Sequence, residues 1–133
     1  MAIHWETFKG GPTRAENQDF AITINYKNVL TFNKYAAKML GNPDAVKLMF
    51  EKKESLIGVV ASSMKDKDAF PLKPKSGGMN WVVHTAPFCR HFGIMIDKTE
   101  RFNRPDIDEQ GILRLDLKDT HDVSNRRKQI SKK

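Results

Sequence analysis

The chain of 133 residues holds one cysteine, Cys89. An intramolecular disulfide is therefore excluded, and so is a zinc site built from two cysteine pairs. Long apolar runs are missing too: none approaches the roughly 18 residues that a membrane-spanning helix needs. The opening residues, Met1-Ala-Ile-His-Trp-Glu-Thr-Phe, lack the charged-then-apolar plan of a secretory signal. These absences lead to the expectation of a cytoplasmic protein with no membrane partner. Phosphate-loop chemistry is also without a signature. Neither Gly10-Gly11 nor Gly77-Gly78 is followed by the Lys-Ser/Thr that such a loop uses.

What is present is a folded composition, 39% apolar and 29% charged, of a length that suits one domain. Lys and Arg number 23 against 16 Asp and Glu, a net +7, which favours an anionic partner. That charge is unevenly spread. Residues 118–133 hold six basic and two acidic side chains, a net +4, while residues 1–117 carry +3. Residues 119–133 have few apolar side chains besides Val123 and Ile130, too few to offset the entropy of ordering. They read as a mobile basic tail, serving either solubility or, through Arg126, Arg127 and Lys128, phosphate binding without sequence readout. Residues 1–18, with Gly10-Gly11-Pro12, read as a flexible leader that Trp5 staples to the fold.

Between them the patterning is clear. Phe20, Ile22, Ile24 and Tyr26 alternate with polar or small residues, the period of a strand. Lys27-Asn28 makes a tight turn, since Asn tolerates positive φ, and Val29 to Phe32 returns as a second strand. Asn33 then caps a two-turn helix over Lys34 to Leu40, with Gly41 ending it and Pro43 blocking its continuation. Val46, Leu48 and Phe50 alternate with Lys47, Met49 and Glu51, and with Leu56 to Ala61 they predict a hairpin. Residues 63–69 are a polar linker. Phe70-Pro71-Leu72 follows as a short edge strand and Asn80 to His84 as a strand. Thr85 is a candidate cap for a helix carrying Pro87 and ending at Gly93. Thr99 to Ile107 predicts an extended edge segment and Ile112 to Leu117 a last strand.

The two halves, 19–62 and 70–118, share this grammar of strand, strand, short helix, strand, strand. Asn33 to Gly41 and Thr85 to Gly93 both span eight residues, offset by 52. The fold class that follows is α+β and β-rich: one domain over 19–118, built of two β-β-α-β-β units that bury each other's strand faces.

Few residues invite catalysis. Cys89 lies beside Phe88 and one turn before Phe92, where a small buried apolar residue fits. His84, Cys89, His91 and Asp97 match no metal spacing, and Asp106, Asp108 and Glu109 lack the EF-hand ligand pattern. No cofactor is implied.

Two stretches carry a family resemblance: Ile22-Thr-Ile-Asn through Val29-Leu-Thr-Phe-Asn-Lys to Ala36-Ala-Lys-Met-Leu-Gly, then Val46-Lys-Leu-Met-Phe and Leu56-Ile-Gly-Val-Val. Their order resembles AbrB-type swapped-hairpin transcription regulators. With Phe32-Asn-Lys-Tyr-Ala-Ala37, Leu40-Gly41 and Phe88-Cys-Arg-His-Phe-Gly-Ile94, the chain is also similar to a group of uncharacterised small bacterial proteins, a similarity that implies no activity. The AbrB-type resemblance implies a swapped-hairpin barrel, here pseudo-dimeric within one chain, and DNA contacts from basic residues near the hairpin and the helix. At matching positions stand Lys27, Lys34, Lys38 and, in the second half, Arg90. Lys34 and Lys38 share a helix face and can bridge successive phosphates. The expected function is therefore a non-catalytic nucleic-acid-binding or regulatory module. The alternative is a protein-interaction or structural module, acting as a homo-oligomer or with a protein partner.

Overall fold

A computed structural model describes residues 3–7 and 19–124. In chain order the described elements are β1 (Ile22–Ile24), β2 (Val29–Asn33), α1 (Lys34–Met39), β3 (Ala45–Glu51), β4 (Leu56–Ser62), β5 (Phe70–Pro71), β6 (Lys73–Lys75), β7 (Asn80–His84), α2 (Ala86–Phe92), β8 (Glu100–Phe102), β9 (Asp106–Ile107), β10 (Leu113–Asp116) and β11 (Thr120–Asp122). They form two antiparallel sheets. The first has six strands in the order β11-β8-β1-β2-β7-β6, the second five in the order β5-β3-β4-β10-β9. The fold is thus β-rich with two short helices, as expected. Both sheets are open, with β11 and β6 as the edges of one and β5 and β9 of the other. Two open sheets stand where the sequence led us to expect a closed barrel.

The local signals account for the first hairpin and helix. Asn28 adopts φ +62 in the β1–β2 turn, and the Asn25 carboxamide accepts from the Lys27 and Val29 amides, each at 3.0 Å. The Asn33 side chain accepts from Ala36 N at 3.1 Å and caps α1. Thr85 behaves differently from its expected capping role. It makes no side-chain cap bond. Its amide and its hydroxyl both donate to the Asn28 carbonyl, at 2.8 and 2.7 Å. Thr85 is 2% exposed, and its buried hydroxyl and amide find their acceptor in the Asn28 carbonyl rather than at the helix end.

The core lies between the sheets. Ile22, Ile24, Leu30, Phe32 and Val83 from the first meet Val46, Ile57, Val59, Leu113 and Leu115 from the second. Residues 70–75 serve both: Val46 pairs with Phe70 in the second sheet, and Lys73 pairs with Val82 in the first. Buried Leu72 marks the crossing.

Strands are exchanged between the halves. β1 pairs with β8, and β3 with β5. At the centre β2 pairs with β7, Leu30 opposite Val83 and Thr31 opposite Val82. Adding the offset of 52 carries Leu30 to Val82 and Thr31 to Val83, so this pairing maps onto itself. The outer hairpins do not obey the offset: Phe32 faces Ile22 on β1, but Trp81 faces Pro74 on β6.

Two expectations are revised. The segment expected as one extended edge over Thr99–Ile107 is split between the sheets, and β8 is an interior strand. It is interior because Thr120–Asp122, assigned to the tail from its composition, pairs with it as β11.

Candidate nucleic-acid interface

Partners across an antiparallel ladder point to the same face, and neighbours along a strand to opposite faces. The first sheet therefore reads as two rows. One runs Thr120, Phe102, Ile22, Phe32, Trp81, Pro74 and faces the core. The other runs His121, Arg101, Thr23, Thr31, Val82, Lys73 and faces away from it. Two residues further along, Asn33, Asn80 and Lys75 extend this outer face. The only carboxylates on the six strands are Glu100 and Asp122, and both stand in register with core-facing Ile24. The outer face carries Lys73, Lys75 and Arg101 around the buried Val82, with no strand carboxylate on it.

The ion pairs reinforce this division. Lys47 pairs with Asp66, Lys98 with Asp122, Arg104 with Asp119, Arg114 with Asp106, and Lys118 with Asp116 and Glu54. None of Lys27, Lys34, Lys38, Lys73, Lys75, Arg90 and Arg101 pairs with a described acid.

The expected contact residues do not form one patch. Lys34 and Lys38 are exposed on α1, which leaves β2 at its Asn33 end. Arg90 is exposed on α2, which leaves antiparallel β7 beside Val29, at the other end of β2. Lys27 sits at that second end, its ammonium 5.8 Å from the Tyr26 ring centre. Tyr26, Asn28, Cys89 and Arg90 share a pocket of about 300 Å³ there. The two pairs are separated by the length of a five-residue strand, about 17 Å. Arg126, Arg127 and Lys128 lie outside the described residues.

Lys73, Lys75 and Arg101 are the basic residues that the sequence reading missed. A signal existed for two of them: Lys73-Pro74-Lys75 alternates, which puts both lysines on one face of any strand. The sequence does not say that this face adjoins Thr31, Thr23 and Arg101, because that neighbourhood is made by pairing between distant segments.

Elsewhere, Cys89 and Asp108 serve structure. Cys89 is 1% exposed, and burial pushes its thiol pKa up, opposed in part by the Thr85 hydroxyl 3.4 Å away. Asp108 accepts from the Gln110 and Ile112 amides and shapes its turn. Among the described residues no cluster of three or more His, Cys, Asp or Glu is placed to hold a metal, and no helix is long and apolar enough to cross a membrane. Trp5, expected to staple the leader, is 88% exposed.

No family model, curated protein or solved structure matches the chain.

Proposed function

We propose that the protein is a non-catalytic, cytoplasmic nucleic-acid-binding module that holds phosphate backbones across the outer face of its six-stranded sheet. One observation carries the reading: Arg101, Lys73 and Lys75 share that face with Thr23, Thr31, Asn33 and Asn80, and with no strand carboxylate. Lys and Arg supply charge to phosphates, and Thr23, Thr31 and Asn80 supply neutral donors, Asn33 being engaged with Ala36 and Asp19; such contacts position a duplex without reading its sequence. Lys34 follows directly after Asn33 and extends the basic surface toward Lys38. The AbrB-type resemblance supports the same reading. The exchange of β1 and β5 between halves agrees with a pseudo-dimer in which two units of one chain stand for two chains. The cytoplasm keeps a lone thiol such as Cys89 reduced.

The test is a titration of a labelled DNA duplex between about 50 and 200 mM salt. The full chain should bind with affinity falling steeply as salt rises. Replacing Lys73, Lys75 and Arg101 together by Ala should flatten the log–log slope by about 2 to 3. No binding at low salt, or an unchanged slope in the triple variant, overturns the proposal. An interaction module without nucleic-acid contact gives the first of these results.

A further inference from the structure

The segment Ile3-His-Trp-Glu-Thr7 displays two large apolar side chains: Ile3 is 72% and Trp5 88% exposed. Trp is the residue type most often found as an anchor at interfaces, because one rigid side chain buries a large area. A buried indole also needs an acceptor for its N–H.

The fold contains a pocket with those properties, of about 520 Å³. Its walls include Phe50, Phe92, Ile94 and Leu117, with Glu100 and Lys52 at its polar positions. Phe50 and Phe92 tilt toward each other at 48°, ring centres 5.2 Å apart, so the wall is aromatic. Glu100 sits on the core-facing side of β8, opposite Ile24. One of its oxygens accepts from the Thr120 hydroxyl, which leaves the second to accept an N–H. Lys52 makes no ion pair with a described residue. The pocket thus offers an aromatic wall in an otherwise largely polar lining, an acceptor and an unpaired cation. The complementary partner is an indole next to a carboxylate, and Trp5-Glu6 is that pair in this chain.

In a single copy Trp5 stands in solvent. We propose that the Trp5 indole of one copy fills the pocket of a second copy, its N–H donating to Glu100 and Glu6 facing Lys52, with reciprocal exchange closing a two-fold dimer. Each pocket is then completed by a residue of the partner copy.

Sedimentation of the full chain from about 1 μM to 1 mM reads the outcome. The expected result is a mass that doubles with concentration. Trp5→Ala should hold it at one chain, and Trp5 is so exposed that the substitution leaves the fold intact. Lys52→Glu should weaken association about tenfold, and Glu6→Lys in the same chain should restore it. A single-chain mass throughout, a dimer that survives Trp5→Ala, or a charge swap that fails to restore association overturns the proposal. If the mass stays single while Trp5 is shielded from a soluble quencher, the arm occupies its own pocket and the exchange is likewise overturned.

Discussion

At position 85 one threonine supplies two donors to one acceptor. The Asn28 carbonyl receives both the Thr85 amide and its hydroxyl, and the same hydroxyl lies against the Cys89 sulfur. These contacts fix the β1–β2 turn to the start of α2, 57 residues later in the chain. Thr85→Val keeps the shape and the amide bond and removes the hydroxyl. It should cost about 1 kcal/mol, since a neutral intramolecular hydrogen bond is worth that much net, and urea unfolding of the two proteins would measure the difference. The sequence made Thr85 a cap because Thr before a Pro-containing helix is a local pattern. The carbonyl that claims it comes from the other half, which no local pattern reports.

Elements differed in how far the sequence revealed them. The β1–β2 hairpin, α1 and the β3–β4 hairpin were legible because their turns and caps are chemical signals: Asn28 at φ +62, the Asn33 cap, Gly41 at φ +88. Strand β11 was not. Thr120, His121 and Asp122 contain no apolar residue, and their order comes from backbone pairing with β8. The turn before β11 is held by a polar network. The Asp119 carboxylate accepts from Asn103 Nδ2 at 3.0 Å and Arg104 Nε at 2.8 Å. The Asn103 bond first, then Arg104, lower the Asp119 pKa below its ordinary 3.8. A carboxylate lowered on folding stabilises the protein above that value, and the contribution is lost as pH falls through the folded pKa. Melting temperatures between about pH 6 and 2 should therefore drop less for Asp119→Asn than for the parent. Parallel curves would mean that the network does not bias folding. The candidate interface was half legible for a related reason. Lys34 and Lys38 announce themselves four residues apart on a helix, whereas the outer sheet face is assembled from six strands, and period-two alternation assigns a residue to a face without naming its neighbours.

For the whole molecule the charge takes a different meaning from the one its total suggested. The basic excess near the C-terminus is concentrated in residues 125–133, with five basic side chains and no acid. Asp119, Asp106, Asp122 and Asp116 pair with Arg104, Arg114, Lys98 and Lys118, and no strand carboxylate stands on the outer sheet face. The exchange of strands has a further effect. Each of the four strands before residue 63 pairs with a strand after residue 69: β1 with β8, β2 with β7, β3 with β5 and β4 with β10. Severing the chain in the polar stretch 63–69 would leave two pieces, the first with an unmatched ladder on every strand and the second with one on β5, β7, β8 and β10. Alone, each piece lacks the core that only the pair encloses and should give the circular dichroism of an unfolded chain. Mixed in equal amounts, they should recover the spectrum and a cooperative melt, while a first piece that folds by itself would contradict this. The chain is then a natural split protein, whose two fragments report by their reassembly whether whatever is fused to them has come together.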